Sequence, residues 1–265
     1  MFSLNNWRPA LITIPLLCLR ALGVTALLVG TASGNQSSVA LPAWETLNFE
    51  QKAFMTTAKS TVEIAPGTPD QPAWTLRASS SIASNSEQIT LSLDPDSGRS
   101  LHRSRLSRGT NDQRYKTHTY LQDQVVRERR VPGANPDRPP GEWDLRNRME
   151  IAYPNLEGVP VSDPYFLLLV ASDFQAGTED YRNILVNTDR NFYSVRITHG
   201  EPEAVKLNYR IADTNERIKG KRQTRAVTLD VSPVEPLENE PDFNLLGLSG
   251  TITVLFDEVS GIPVQ

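Results

Sequence analysis

In Val205-Lys206-Leu207-Asn208-Tyr209-Arg210-Ile211 an apolar side chain stands at every second position, with a polar or charged one between each pair. Successive side chains of a strand point to opposite faces, so this period of two describes a strand with one apolar and one wet face. The pattern recurs along most of the chain: Leu47 and Phe49 before Ala53 and Met55, then Val62 and Ile64, Trp74 and Leu76, and Ile89, Leu91 and Leu93. Val125 and Val131, Tyr193-Val195-Ile197, Val227-Leu229-Val231 and Ile252-Val254-Phe256 continue it. Turn-forming residues separate the runs, at Pro66-Gly67, Asn85, Asp94-Pro95-Asp96-Ser97-Gly98, Gly109, Gly200 and Gly220. Closely spaced strands of this kind form antiparallel meanders, and the apolar side of the sheet requires a cover.

The cover is found at Asp163 to Ala171. Ser162 offers an N-cap, Pro164 sits in the first turn, and Tyr165-Phe166-Leu167-Leu168-Leu169-Val170 follows. A helix that is apolar all round must be buried. The expected fold is therefore mainly β, a strongly curved antiparallel sheet, half-barrel or clam-like, wrapped around a short buried helix. A short buried strand is the rival reading of the run, because periodicity does not separate the two. Pro132 to Trp143 holds too many prolines and glycines for regular structure and reads as a surface loop between the first meander and the second half. Pro233 to Asp242, with three prolines and four acidic residues, reads as a solvated linker before the last strand.

The first forty residues have a different character. Arg8 and Arg20 precede an apolar run from Ala21 to Gly30 and then a small-residue segment, the anatomy of a secretory signal. Ser38-Val39-Ala40 offers cleavage before Leu41, and Ala32-Ser33-Gly34 an earlier site. The expected organisation is a signal peptide over 1–40 and one β-rich domain over 41–265, exported to the periplasm. The alternative is a membrane anchor over residues 10–30, which places Arg20 near the bilayer centre at roughly 2.5–3.5 kcal/mol and also contains Pro15. A lipidated Cys18 is a third reading, but Leu17 directly before it fits poorly with the small residue such processing wants.

The whole chain has 27 basic and 31 acidic residues, net −4; without Arg8 and Arg20 the counts are 25 and 31, net −6. The single cysteine falls within the first forty residues, so the remaining 225 exclude thiol chemistry and cysteine-zinc sites, and they suffice for a core without disulfides. An acidic chain with its arginines dispersed among glutamates is a poor nucleic-acid binder. His102, His118 and His199 lack metal-ligand spacing, although a hairpin pairing of Leu101 to Arg108 with Asp112 to Leu121 would bring the first two together; lone strand histidines are usually on a solvent face. No G-x-S-x-G occurs, Asp94 and Asp96 fit a hairpin turn better than a calcium loop, and Glu142 with Asp144 and Glu179 with Asp180 fall in polar loops. No catalytic residue, metal site or cofactor is expected. Arg99, Arg103 and Arg105 share a strand face, to which Arg114 and Lys116 add; the readings are a basic patch for anionic lipid headgroups or an acidic partner, and an ordinary charge-balanced outer face.

A start of the type Leu47-Asn48-Phe49-Glu50, a strand containing Ala58 to Ile64, the Asp163-Pro164 helix and the Tyr193-Ser194-Val195 strand precede a distinctive ending. That ending is Gly250-Thr251-Ile252-Thr253-Val254-Leu255-Phe256-Asp257 and then Gly261-Ile262-Pro263-Val264. Together these features resemble the uncharacterised Gram-negative envelope family catalogued as domain of unknown function 3108. The resemblance implies an exported β-rich protein with a curved sheet around a helix, similar to the half-barrels of lipoprotein carriers, and brings no catalytic residues. The chain departs from the family in its marked proline-rich loop and in stopping at Gln265, where a further strand is expected; an open sheet edge for a partner follows as an expectation. Three functions are open. One is a periplasmic binding or carrier module holding an apolar, lipid-like ligand against Phe49, Trp74, Val195, Leu207 and Phe256, residues that serve equally to pack on the Leu167–Leu169 helix. Another is an envelope assembly or interaction protein without a small ligand, using the arginine strands or the 132–143 loop. An enzyme is the third and least supported.

Overall fold

The computed structural model describes residues 39–53, 56–110, 112–154, 159–212, 214–237 and 241–264. The proposed signal lies almost wholly outside them, with Arg8, Pro15, Cys18 and Arg20, as do Met55 and Gln265. Eight strands follow one another in space as in sequence: β1 (Thr46–Ala53), β2 (Thr56–Ala65), β3 (Trp74–Ile82), β4 (Asn85–Leu93), β5 (Ser100–Arg108), β6 (Gln113–Tyr120), β7 (Gln124–Val131) and β8 (Asp144–Ala152). Each is antiparallel to its neighbour, the arrangement that short turns permit.

The chain is mainly β, but it builds two sheets where one was expected. A second sheet has the order β13-β12-β11-β10-β9, from β9 (Val161–Ser162), β10 (Tyr181–Asn187), β11 (Phe192–Arg210), β12 (Arg217–Pro233) and β13 (Ile252–Asp257). The proline-rich segment does not divide the halves: it joins β7 to β8 within the first sheet, carries a 3-10 turn at Pro140–Glu142, and buries Trp143, whose indole N–H donates to the Arg138 carbonyl at 2.9 Å. The break comes after β8, where α1 (Phe166–Phe174) connects β9 to β10 and makes that pair parallel, since a parallel pair needs a crossover. Alternation states which face of a strand is wet, but not which strand completes its ladder.

α1 begins three residues later than Asp163 and its start is not capped by Ser162. The Tyr165 amide donates to Asp163 Oδ1 at 2.9 Å, while the Ser162 hydroxyl donates to the Gly98 carbonyl. Leu167, Leu169 and Val170 are fully buried, in one cluster with Leu76 and Leu91 of the first sheet and Val195 and Leu229 of the second. Trp44 Nε1 donates to Ser172 Oγ at 3.2 Å, and the Phe174 ring stacks on His199 at 4.5 Å, so the helix is tied on both sides. The Asp94–Gly98 turn is a hairpin turn as expected: Asp94 accepts from the Ser97 hydroxyl at 2.7 Å, and Gly98 has φ +66. A side chain at Gly98 would start 2.5 Å from the Phe166 ring, so glycine is required there on two counts.

The described ends of the 233–242 stretch are not simply a solvated linker: Pro233 ends β12, and Val234 and Leu237 pack against buried side chains. Its end leads into Phe243 and Leu245, both buried in the core, and Phe243 meets the Tyr193 ring edge-on at 5.5 Å. After β13 the chain turns back, so that the Val264 amide donates to the Leu255 carbonyl at 2.7 Å and Pro263 bridges to Phe256. That return pairs part of the β13 edge.

Candidate functional site

The densest chemistry lies where β5, β6 and β7 meet the segment before α1 and the turn between β10 and β11. Strand alternation sends Arg103, Lys116, His118 and Arg127 to the same inner face, with Arg103 opposite His118 and His118 opposite Arg127 in the ladder. Two carboxylates from the second half of the chain meet them. Asp163, fully buried, pairs with Arg103, whose guanidinium also donates to the Thr188 carbonyl and, at 2.8 Å, to His118 Nε2. Asp189 accepts Arg127 through Nε at 2.8 Å and Nη2 at 3.0 Å, a bidentate pair, and Lys116 Nζ at 2.6 Å. Arg127 also donates to Asn147 Oδ1 at 3.1 Å, which reaches β8.

The turn carrying Asp189 is itself held by a carboxylate. Asp242 accepts the Thr188 hydroxyl at 2.6 Å, Asn191 Nδ2 at 2.9 Å, the Tyr193 hydroxyl at 3.0 Å, and the amides of Asp189 and Arg190 at 3.2 and 3.0 Å. Burial alone would raise the Asp242 carboxyl, but these donors hold it below its ordinary range.

Asp189 behaves likewise: burial opposes its charge, and the Arg127 hydrogen bonds with the Lys116 charge overcome this and keep it well below the usual carboxylate range. Burial brings Lys116 down to about 8 against the pull of Asp189. The two shifts weigh the pair in opposite senses, and three donor contacts of 2.6–3.0 Å on one carboxylate favour the ionised pair at neutral pH. His118 is pushed well below its ordinary value, by burial first and the Arg103 charge second. A guanidinium can only donate, so His118 Nε2 accepts and the ring proton sits on Nδ1, which has no partner among the described residues.

This junction corrects two expectations. Arg99, Arg103 and Arg105 do not form an outward basic patch: Arg103 is buried, Arg99 donates to the carbonyls of Tyr120 and Leu121, and Arg105 Nε donates to Glu87 at 2.8 Å. The β5–β6 hairpin forms as expected, but His102 and His118 point to opposite faces, and His118 is fully buried rather than solvent-facing. His118 Nε2 is 3.7 Å from Asp189 Oδ1, with its lone pair already engaged by Arg103. His199 packs on Phe174.

The five residues assigned to an apolar ligand take part in packing. Val195 and Phe256 are in the cluster that holds α1, Phe49 and Trp74 lie half-buried against it, and Leu207 is buried on the β11–β12 hairpin. An open cleft of about 330 Å³ lies elsewhere, at the irregularity in β11 between Gly200 and Glu203, and is lined by those two residues with Glu201, Ala226, Thr228, Thr253 and Leu255. Among the described residues no cluster of three His, Cys, Asp or Glu side chains is placed to hold a metal, and no helix is long and apolar enough to cross a membrane. Sequence reading missed Asp163 and Asp189 as partners of the cations on β5 to β7, and Asp242 as the carboxylate that holds the turn carrying Asp189. The available signal was the excess of cations on one face of β5 and β6, which requires carboxylates from somewhere.

No protein-family model matches the chain, so the resemblance to domain of unknown function 3108 rests on its short motifs alone; no curated protein matches either. Among solved structures the chain is similar to a β-barrel-like protein of domain of unknown function DUF1849 from Brucella abortus, at 10% identity over 82% of this chain and 86% of that one, with a TM-score of 0.44.

Proposed function

We propose that the protein is an exported, non-catalytic component of the Gram-negative envelope that works through its surface, as an interaction or assembly module. The observation that carries this reading is the filled core. A carrier needs an apolar cavity for its cargo, whereas Leu167, Leu169 and Val170 of α1 occupy the space between the apolar faces of the two sheets, together with Val195 and Phe256. A non-catalytic role is supported by the buried junction, in which Arg103 is committed to Asp163 and Arg127 to Asp189, and His118 is sealed from solvent.

Export rests on the signal anatomy of the first forty residues. Of the two cleavage positions, the earlier, after Gly34, agrees better with the packing: Val39 is buried in the core and the Ala40 amide donates to Asp173 Oδ1 at 3.2 Å, both of which cleavage after Ala40 would disturb.

The test is to express the full chain with a C-terminal tag in a Gram-negative host, fractionate the cells and measure the intact mass under native conditions. The expected product is periplasmic, begins at Asn35 and carries no bound lipid, and cross-linking in cells returns a constant protein neighbour. Stoichiometric lipid on the purified protein would instead restore the carrier reading, and an unprocessed chain in the membrane fraction the anchor over residues 10–30.

A further inference from the structure

The β11–β12 hairpin runs on past the sheet that contains it. β10 pairs with β11 only up to Thr198, and β13 pairs with β12 only over Thr224–Leu229, whereas β11 and β12 pair with each other as far as Arg210 opposite Arg217. Residues 203–210 and 217–224 therefore form a two-stranded ribbon with two distinct faces. One face carries Leu207 and Ile218, both buried, and Tyr209, whose hydroxyl donates to Asp257 Oδ2 at 2.8 Å and lies 3.1 Å from Ser260 Oγ. These contacts hold the ribbon against the turn after β13. The other face carries Lys206, Arg210, Arg217, Lys219 and Lys221, all exposed.

On that face Lys206 lies directly opposite Lys221, and Arg210 opposite Arg217. Like charges facing each other across a ladder are destabilising. Several other cations of the chain are paired, as Arg105 is with Glu87 and Arg182 with Asp173 and Glu179, and exposed single cations such as Arg77 and Arg146 have no like charge set directly opposite them. Among the described residues none of these five cations has a carboxylate within 4.0 Å; the polar neighbours of Arg210 and Arg217 are the amides Asn215 and Asn208. A chain with 31 acidic residues thus keeps a basic strip, without carboxylate partners among the described residues, on a braced support.

We propose that this strip docks the protein on an anionic phospholipid surface. A ladder spaces its same-face side chains by about 7 Å along the strands and about 5 Å across them, so several of the charges sit close enough to meet one anionic surface together. Each Lys or Arg held near an anionic leaflet contributes about fivefold in partitioning. The strip carries no aromatic side chain to insert among acyl chains or to stack on bases, so the contact is peripheral and salt-sensitive. The choice of lipid over nucleic acid rests on the export reading, which brings the ribbon beside membrane leaflets.

The experiment uses the full chain as cells process it, mixed with vesicles of phosphatidylethanolamine and phosphatidylglycerol, with phosphatidylcholine vesicles and a DNA duplex as comparisons. The expected result is cosedimentation with the anionic vesicles alone, weakening as salt rises. Lys206→Gln/Lys219→Gln/Lys221→Gln should bind at least about 20-fold less, with a Tm equal to or above the parent, because a like-charge pair is relieved. Arg77→Gln/Arg146→Gln/Arg190→Gln, which removes the same exposed charge elsewhere, should lose less than about threefold. The proposal is overturned if the ribbon variant binds as the parent does, or if the parent prefers the duplex. Correctly processed periplasmic protein that ignores anionic vesicles defeats the ribbon proposal and leaves the export reading standing; unprocessed protein that binds them through the ribbon does the reverse.

Discussion

The Lys116 ammonium, in the middle of β6, lies 2.6 Å from the Asp189 carboxylate in the turn joining β10 to β11, and so links the first sheet to the second. Arg127 grips the same carboxylate from β7, and on β5, the other neighbour of β6, Arg103 holds Asp163 at the entry to α1. Asp242 keeps the turn in place from a segment fifty residues on. The two sheets are thus joined twice, through an apolar core around α1 and through a chain of carboxylates that neutralise the inner face of β5 to β7.

Asp189→Asn leaves Lys116 and Arg127 buried without their counter-charge and should destabilise the protein by about 3 kcal/mol in urea denaturation at pH 7, since a cation stranded in the interior retains its desolvation penalty. The deficit has a pH signature. Asp189 is depressed in the folded state, so its contribution is present above the unfolded carboxylate value near pH 4 and is lost as pH falls below it. The gap between parent and variant should therefore close in acid; a gap constant down to about pH 3 would mean that the carboxylate charge is not what stabilises the junction.

His118 should make stability fall on mild acidification. It stays neutral in the folded protein well below its ordinary value, while the unfolded chain takes up a proton near pH 6.5, so the unfolded state binds more protons as pH drops. The slope contributed is at most about 1.4 kcal/mol per pH unit. His118→Gln keeps an acceptor for Arg103 and should remove this component, leaving that of His102, which burial also lowers. Denaturation midpoints at pH 7, 6 and 5 that are parallel for parent and variant would overturn the assignment.

Leu169→Ala should cost about 2–5 kcal/mol, the range for opening a cavity in a packed interior. The same substitution beside a vacant ligand pocket would cost far less, and a loss below about 1 kcal/mol in the denaturation midpoint would revive the carrier reading.

Gly98→Ala should destabilise by roughly 2 kcal/mol, combining a left-handed backbone with a methyl group aimed at the Phe166 ring. Substituting Gly141, which has open space around it, by Ala provides the comparison and should change Tm little.

Much of the first sheet was legible. Leu76, Ile89 and Leu91 alternate with polar neighbours and are all buried, because antiparallel strands joined by tight turns need only local patterning and turn chemistry. β8 was not, since both its faces are largely exposed and it has no alternation to read. α1 was legible as a buried apolar segment, but its start was not, because Asp163 and Ser162 both suit a helix entry and only the position of the Gly98 carbonyl assigns Ser162 another partner.

The arginine strands mark the limit of local reading. Arg99, Arg103 and Arg105 look like a solvent face, and on sequence alone nothing distinguishes a wet cation from one paired with a carboxylate sixty residues away. The same limit concealed the β11–β12 ribbon. The alternation of Val205 to Ile211 identified a two-faced strand, yet the accumulation of Lys206, Arg210, Arg217, Lys219 and Lys221 on one exposed face depends on the register of two long strands.

What the sequence by itself determined is the set of properties carried by neighbours along the chain: strands with one wet face, a helix that must be buried, turns at glycine and proline, and the absence of cysteine after residue 18. Tertiary structure alone decided which strands share a sheet, which cations are buried and which remain in water. Period and turn propensity act over a few residues, whereas the partner of a charge and the depth of its burial are set by segments that meet only after the chain has folded.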